Sequence, residues 1–346
     1  MTHKERLGSA LRHEPVDFLP TQIGYTYAAG QRLAMHFGVP VTDLPALLDN
    51  HLIRIDLTCP PKLSADGATS YDWWGVGFAS SEEGYFIKHS PLAKAGRVDL
   101  DTFAWPDPHA PGLLEDAARA IAADAGEHFI VPNFGFSLFE RAWSLRGFDA
   151  FLMDLVTDTA FAEQLLERIT EIQSVLVNRY IALGVDGGYF GDDYGAQKGL
   201  LFSPKVWRAL IKPRLGCLFA PFRAAGLPVI MHSDGNIAAI LPDLVEIGLN
   251  AYNPVQPEVV DLEWLRERFG INLAYYGGVS TQTVLPHGSP AEVREAVFTA
   301  ARALAPNGTG LLIGPSHRMM ADIPMENVDA LLDAFRTLQE HREAGA

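Results

Sequence analysis

The sequence predicts one α/β domain over residues 1–346, folded as a (β/α)8 TIM barrel with an N-terminal helix and a hairpin insertion. Three observations predict this fold. Short apolar segments recur along the chain, helical segments separate them, and clusters of polar residues directly follow several of them. Short apolar runs are typical of buried parallel strands, and their alternation with helices predicts a parallel sheet. Barrels of this kind commonly occupy ~250 residues or more as one domain, which suits this chain length.

Eight apolar segments are predicted as the barrel strands. They are Phe18–Gly24, His51–Leu57, Phe129–Asn133, Asp186–Phe190, Pro228–His232, Asn250–Asn253, Leu273–Tyr276 and Gly310–Ile313. No GxGxxG motif follows the first segment, which argues against an open dinucleotide-binding sheet and against a bound nucleotide.

Several helices have recognisable starts or a helical spacing of apolar residues. Lys4–His13 is amphipathic, and Ala160–Leu183 carries apolar residues three and four positions apart. Ser203 followed by Pro204 predicts a capped helix start, and Ser289–Glu292 predicts another with a capping box. The segment Pro324–Asn327 is predicted to begin the last helix.

The stretch Gly67–His89 is rich in aromatic residues and glycine, and we predict a β-hairpin or meander over the barrel mouth. Tyrosine and tryptophan side chains beside such loops suit a ring-bearing or methylated ligand, although aromatic groups more often pack in a core. The residues considered for this aromatic lid are Tyr25, Tyr27, Trp73, Trp74 and Tyr85.

Composition narrows the class of partner and the compartment. The chain is 48% hydrophobic and 20% charged, with a formal net charge of −15. It has no run of Lys and Arg, so nucleic acid is not a predicted partner. The charged N-terminus is not a signal peptide, and no apolar run is long enough to predict a membrane span. Cys59 and Cys217 form no CxxC pair, and a reducing, cytoplasmic location is expected.

Polar clusters follow five of the predicted strands. They are Gly191–Gln197, His232–Asn236, Asn253–Gln256, Gly277–Gln282 and Gly314–His317. In a (β/α)8 barrel, polar groups at the carboxyl ends of the strands converge on one pocket. The sequence therefore predicts an enzyme with its active site at this end of the barrel.

These clusters also carry a family resemblance. The segments GDDYGAQ, HSDGNI, NPVQ, YYGGVSTQTVLPHG and GPSHRMMADIPMEN resemble the uroporphyrinogen decarboxylase superfamily in order and spacing, from Phe18 to about Phe335. The resemblance implies a single-domain (β/α)8 barrel. It also implies one of two activities: cofactor-free decarboxylation of a tetrapyrrole, or zinc-dependent methyl transfer together with a corrinoid protein.

The two branches of the superfamily differ in their motifs. The decarboxylase has an Arg-rich segment after its first strand, and here Gly24–Arg32 retains only Arg32, which we predict to bind substrate. The methyltransferases have His-x-Cys after the fifth strand and another Cys near the end of the eighth. Here His232 and Asp234 occupy the first pair, and His317 falls near the last position. The resemblance therefore favours the methyltransferase branch, with the thiolates replaced.

The residue types at these positions have their own chemistry. His232, Asp234 and His317 are good ligands for a divalent metal, with zinc as the first guess, and three protein ligands leave one position open for substrate. The alternative is that the two histidines make hydrogen bonds inside a polar pocket without a metal.

Other polar residues are predicted to complete the site. At Asp192 or Asp193 we expect a general acid or base, or a carboxylate that accepts the second ring hydrogen of His232. The alternative is a local turn cap. Tyr25 and Tyr27 are further catalytic candidates. The predicted substrate-binding residues are Arg32, Trp73, Asn253, Gln256 and Tyr276, with loop anchoring as the alternative for the two amides.

The first functional hypothesis is methyl transfer from a small O-, N- or S-methyl compound, with the metal as Lewis acid. The chain has no DxHxxG motif, so cobalamin is expected on a separate corrinoid partner. Decarboxylation of a uroporphyrinogen-like tetrapyrrole or another carboxylate is the alternative, and a non-catalytic binding barrel is a third. A homodimer stays open.

Overall fold

The computed structural model describes residues 1–81 and 84–343, without the side chains of residues 80–85 and 341–343. Its strands are β1 (Leu52–Ile55), β2 (Lys62–Leu63), β3 (Ser70–Tyr71), β4 (Gly77–Ser81), β5 (Gly84–His89), β6 (Phe129–Phe134), β7 (Gly188–Gly191), β8 (Gly195–Ala196), β9 (Gly199–Leu200), β10 (Val229–His232), β11 (Ala251–Val255), β12 (Ala274–Val279) and β13 (Leu311–Pro315).

The α-helices lie mainly between the strands of the large sheet. They are α1 (His3–Leu11), α2 (Tyr27–Phe37), α3 (Leu44–Leu47), α4 (Arg97–Thr102), α5 (Glu115–Asp124), α6 (Phe139–Arg146), α7 (Phe148–Thr157), α8 (Thr159–Leu183), α9 (Pro204–Leu210), α10 (Lys212–Ala224), α11 (Leu241–Ile247), α12 (Leu262–Phe269), α13 (Val284–His287), α14 (Pro290–Leu304) and α15 (Met325–Glu343). Ser203 caps α9, and Ser289 with Glu292 forms the capping box of α14, as the sequence predicts.

Seven parallel strands form one curled sheet in the order β1-β6-β7-β10-β11-β12-β13. The backbone of Thr21 pairs in parallel with Asn50, just before β1, and with Ile313 of β13, so it connects the two edges of the sheet. The arrangement is an α/β fold consistent with a TIM-like barrel. Seven of the eight predicted strands are confirmed as members of this sheet.

The first predicted strand, Phe18–Gly24, is wrong as a regular strand, because only Thr21 makes bridges. Pro20 has no N–H to donate. The side-chain amide of Gln22 bonds to the backbone of Leu52, with N···O distances of 2.8 and 3.2 Å. Asn50 makes two similar bonds to the backbone of Ile23. Side chains thus supplement the few backbone hydrogen bonds that this segment makes to Ile313 and His51.

An apolar layer fills the interior of the curled sheet near the amino ends of its strands. It comprises Leu52, Phe129, Val131, Tyr189, Ile230, Ala251, Ala274 and Leu312, together with Leu7 and Leu11 of α1. The helix α1 therefore covers the amino end of the barrel, and its start is fixed by a capping box between Thr2 and Glu5. Because this end is filled, polar chemistry inside the barrel is confined to the carboxyl ends of the strands.

The predicted insertion is confirmed as an antiparallel meander, in which β2, β3, β4 and β5 pair in chain order. Asp72, in the turn between β3 and β4, forms a salt bridge of 2.6 Å with Arg141 of α6. Since α6 follows the carboxyl end of β6, this contact places the meander beside the barrel mouth. The side chain of Tyr85, considered for the lid, lies outside the described side chains.

Both cysteines, Cys59 and Cys217, are free. No helix in the described part of the chain combines the length and the apolar character that a bilayer crossing requires.

Candidate active site

The carboxyl ends of three neighbouring strands place His232 and Asn253 side by side at the mouth of the barrel. His232 ends β10 and pairs in register with Gly191 of β7 on one side and with Asn253 of β11 on the other. The three strands are parallel, so their carboxyl ends open onto the same space above the apolar layer. His232, Asn253 and the residues that follow them therefore form the floor of a common pocket.

Asn253 determines which nitrogen of His232 carries a proton. Its Nδ2 donates to the backbone carbonyl of Tyr276 at 3.2 Å, and a carbonyl can only accept. Its Oδ1 consequently faces His232 Nδ1 at 2.8 Å and accepts the ring N–H. Tyr189 donates a second hydrogen bond of 2.8 Å to the same oxygen. His232 is thereby held with Nε2 directed at the carboxylates of the pocket.

This arrangement corrects one expectation. The sequence predicts that Asp192 or Asp193 accepts the second ring hydrogen of His232, but Asn253 has this role in the structure. Asp193 lies on the other side of the ring, with its Oδ1 3.8 Å from Nε2. An amide reaches Nδ1 because β11 is the in-register neighbour of β10, whereas the loop after β7 approaches from above.

The three predicted metal ligands lie together. His232 Nε2 is 3.8 Å from Asp234 Oδ2, and His317 Nε2 is 3.5 Å from the same oxygen. One ligand atom from each of the three residues lies within 4.8 Å of the other two. Tetrahedral zinc with bonds of ~2.0–2.1 Å separates its ligand atoms by about 3.3 Å. Small side-chain adjustments therefore suffice for these residues to hold a divalent ion.

Asp234 provides the strongest test of this fit. Its Oδ1 is buried and has no hydrogen-bond partner among the described residues. Burying an unpaired carboxylate oxygen is costly, and a cation is a suitable partner for it. The donor set of two imidazoles and one carboxylate suits zinc and related divalent metals.

The protonation of the two histidines differs. Burial opposes charge on His232, but Tyr189, Asp193 and Asp234 outweigh it and raise its pKa well above the ordinary value. Burial lowers the pKa of His317, although Asp234 opposes the shift. A metal ion would displace the proton from His232 Nε2, so metal binding is coupled to proton release.

Asp192 has a structural role, whereas Asp193 belongs to the site. Asp192 is fully buried and accepts hydrogen bonds from the backbone N–H groups of Leu138, Phe139 and Glu140 and from the hydroxyl of Tyr194. Asp193 accepts the backbone N–H of Asp234 at 2.9 Å and faces His232. Asp192 therefore caps the start of α6, whereas Asp193 faces His232, one of the three predicted metal ligands.

Glu140, in the first turn of α6, is a site residue that the sequence analysis does not identify. Burial, together with the negative charges of Asp193 and Asp192, raises its pKa to about 9. The carboxyl group is therefore protonated at neutral pH and can donate a proton. Nothing in the local sequence indicates this, because the shift arises from burial in the folded site and from carboxylates that follow β7.

Arg54 of β1 is a second residue absent from the predicted site. Its guanidinium lies 4.9 Å from the centroid of the Tyr189 ring, inside the barrel. A period-two pattern in β1 provides a signal for it, since Leu52 and Arg54 share one face of a strand and Leu52 faces the interior. A charged residue on the interior face of a short apolar strand indicates a candidate site residue.

The other predicted site residues occupy varied positions. Gln256 is buried and accepts the backbone N–H of Gly235 at 2.8 Å, so it anchors the loop after β10. Tyr276 is half-buried, and burial together with Tyr189 raises its pKa, so it remains a neutral phenol. Trp73 packs edge-on against Trp74 at 5.6 Å in the meander.

The first segment contributes less than predicted. Tyr25 is half-buried, and its backbone pairs with Met319 in the segment after β13. Tyr27 is 74% exposed at the start of α2. Arg32 lies in the same helix and makes no hydrogen bond or salt bridge with the described residues of the pocket. The catalytic roles of Tyr25 and Tyr27 stay predictions. Substrate binding by Arg32 stays a prediction as well.

A second group of His and Asp side chains lies at the opposite end of the barrel, at His3, Asp49 and His51. His51 Nε2 faces an Arg6 nitrogen at 3.0 Å, and His51 Nδ1 faces the carbonyls of Asp49 and Thr21. Arginine can only donate and carbonyls can only accept, so both ring nitrogens of His51 are occupied. This group is an ion-pair and hydrogen-bond network rather than a metal site.

Comparison with known proteins identifies the family. The family model described as uroporphyrinogen decarboxylase (URO-D) matches residues 86–338, and the chain belongs to this family. A uroporphyrinogen decarboxylase of Aliivibrio salmonicida (strain LFI1238) is 23% identical over 376 residues, which cover 97% of both chains. One from Aliivibrio fischeri (strain MJ11) gives the same identity and coverage.

Solved structures support the fold. A methyltransferase from Methanosarcina mazei superposes with a TM-score of 0.71 over 97% of this chain and 99% of its own, at 20% sequence identity. At this identity the likeness shows the shared fold. The resemblance stated from the sequence motifs is thus confirmed at the level of the family.

Proposed function

We propose that this protein is a metal-assisted methyltransferase of the uroporphyrinogen decarboxylase family. The observation that carries the proposal is the cluster of His232, Asp234 and His317, in which Asp234 Oδ1 is buried without a partner. In this proposal the three residues hold one divalent ion, with zinc as the first candidate. The substrate is a small O-, N- or S-methyl compound, and the methyl acceptor is a corrinoid on a separate protein.

When bound, the metal supplies a Lewis acid that polarises the heteroatom bearing the methyl group. The corrinoid of the partner, as cobalt(I), would supply the electron pair of the new cobalt–carbon bond, and the heteroatom would keep the pair of the broken bond and take up a proton. Asn253 holds His232 with Nε2 toward the metal position, and Asp193 supplies negative charge beside the ring. Glu140 is the candidate proton donor, because burial and the two neighbouring carboxylates raise its pKa to about 9 in the metal-free site.

Metal content tests the proposal directly. Protein purified without chelator and dialysed against zinc should hold close to one zinc per chain. His232→Ala should weaken zinc affinity by at least ~100-fold, and Asn253→Ala, which releases the orientation of His232, by ~10–100-fold. Zinc content by mass spectrometry and affinity by competition with a chromogenic chelator give both values.

The matched control is His287→Ala, which removes an exposed histidine at the end of α13 and should leave zinc binding unchanged. Zinc-dependent formation of methylcobalamin from cob(I)alamin and a panel of methyl donors then tests the reaction. A chain that cannot be loaded with zinc, and whose unfolding temperature zinc does not change, contradicts the proposal.

A second prediction concerns the tetrapyrrole. Uroporphyrinogen carries eight carboxylates, and Arg32 is the single cation in the segment Gly24–Arg32. Carboxylates are bound strongly by paired arginine forks, and one arginine is too few for such a substrate. We therefore expect little or no coproporphyrinogen when the purified protein is incubated with uroporphyrinogen and the products are separated by chromatography. Efficient conversion would assign the protein to the decarboxylase branch.

A further inference from the structure

Arg54 lies on the interior face of the barrel. In β1 its side chain points in the same direction as that of Leu52, which belongs to the interior apolar layer, because side chains alternate along a strand. Its guanidinium is 4.9 Å from the ring centroid of Tyr189, which belongs to β7. The strand β6 lies between β1 and β7 in the sheet. Side chains can meet across an intervening strand only when both point into the barrel.

The charge of Arg54 lacks a close counter-ion. Among the described residues, no carboxylate oxygen lies within salt-bridge distance of its guanidinium. The neighbouring carboxylate of Asp56 accepts a hydrogen bond of 2.9 Å from Asn133. Arg54 nevertheless remains accessible at the mouth. The planar fork of this guanidinium, which lies against Tyr189 and forms no salt bridge with the described residues, fits a carboxylate.

We propose that Arg54 binds a carboxylate of the substrate, so that the methyl donor is a methylated carboxylic acid. This inference rests on the proposed function, since it names the substrate class of the same site. The rings of Tyr189 and Tyr276 border the position and suit an aromatic or other flat acid. Nearby Asp56 and the carboxylates around His232 disfavour a phosphate dianion, because like charges repel.

The same contacts link the two ends of the substrate. Tyr189 lies against Arg54 and donates to Asn253 Oδ1, which also accepts the ring N–H of His232. Arg54 and His232 are therefore connected through Tyr189 and Asn253, and a substrate that contacts both carries its carboxylate at one end and its methylated heteroatom at the other. A single ring with a carboxylate and a methoxy group on opposite sides is the simplest compound of this class.

Isothermal titration calorimetry with 4-methoxybenzoate and its neutral analogue 4-methoxybenzamide tests the inference. Both are titrated into chelator-treated protein, so that no carboxylate binds through a metal. We expect the wild type to bind the benzoate. Arg54→Gln should weaken the affinity for the benzoate by at least ~10-fold and should leave the affinity for the amide unchanged. Arg54→Lys should recover part of the affinity. Arg119→Gln, which changes an exposed arginine of α5, is the matched control and should bind the benzoate as the wild type does.

The outcomes separate this inference from the proposed function, because zinc loading is measured on separate, zinc-dialysed samples of the same variants. If zinc binds but the benzoate shows no dependence on Arg54, or does not bind, the inference is overturned and the metal site stands. Equal losses in Arg54→Gln and Arg119→Gln overturn it as well. If the benzoate depends on Arg54 and no zinc can be loaded, the carboxylate site stands and the metal-assisted reaction fails.

Discussion

Replacing Asp192 should destabilise the protein more than any other single change in the site. Its carboxylate accepts three backbone N–H groups at the start of α6 and the hydroxyl of Tyr194, and it is fully buried. The residue before α6, Leu138, offers no side-chain cap. Each buried donor left without an acceptor costs about 1–3 kcal/mol, so Asp192→Ala should lose about 4–6 kcal/mol of unfolding free energy.

A loss of that size approaches the whole stability of many domains, so milder variants are needed as well. Asp192→Asn keeps one acceptor oxygen and should lose about 2–3 kcal/mol, and Tyr194→Phe, which removes one hydrogen bond, about 1 kcal/mol. Urea unfolding followed by circular dichroism measures all three.

The neighbouring Asp193→Asn is the matched control. Its oxygen can still accept the N–H of Asp234, so stability should change by less than about 1 kcal/mol, while zinc affinity falls because a negative charge beside His232 is lost. Equal unfolding free energies for Asp192→Asn and Asp193→Asn would contradict the division of roles between these two residues.

The fold was predictable from the sequence because its strands are local, apolar and short. The seven strands of the large sheet and the antiparallel meander fall where the pattern places them. The first predicted strand fails for a reason that periodicity does not contain. Pro20 has no N–H to donate, and the side chains of Gln22 and Asn50 supplement the few backbone hydrogen bonds of the segment. A pattern of apolar residues shows that a segment is buried, but not which atoms make its hydrogen bonds.

The site was predictable only where its residues directly follow strands. His232, Asp234 and His317 meet because the carboxyl ends of β10 and β13 open onto one space. The roles of Asp192 and Asn253 depend on neighbours from other elements, namely the start of α6 and the register of β10 with β11. Glu140 is further removed still, because its protonation is a property of the assembled pocket.

Glu140→Gln should stabilise the protein at neutral and alkaline pH. Burial and two carboxylates raise the pKa of Glu140 from 4.5 to about 9. A carboxyl with a raised pKa in the folded state contributes stability that is fully present below the unfolded pKa and is lost as the pH rises toward the folded pKa. At ~1.4 kcal/mol per pH unit, the ionisable group costs about 3–4 kcal/mol at pH 7. Glutamine resembles the protonated acid and avoids that cost.

Urea unfolding at pH 5 and at pH 8 measures the effect. The variant should exceed the wild type by about 4–5 kcal/mol at pH 8 and by less than about 1 kcal/mol at pH 5. Glu163→Gln, an exposed change in α8, is the control and should alter neither value. An equal gain at both pH values would mean that packing, rather than protonation, separates glutamine from glutamate here.

Glu140→Gln should also lower the rate of the proposed methyl transfer. Glutamine cannot donate an acidic proton to the departing heteroatom, so zinc-dependent methylcobalamin formation should fall by ~10²–10⁴-fold while zinc content stays at the wild-type level. A protein that becomes more stable at pH 8 and loses this activity shows that Glu140 is kept for chemistry at the expense of stability, as at other active sites. If activity persists in the stabilised variant, the proton comes from another group or from solvent, and Glu140 is not the donor.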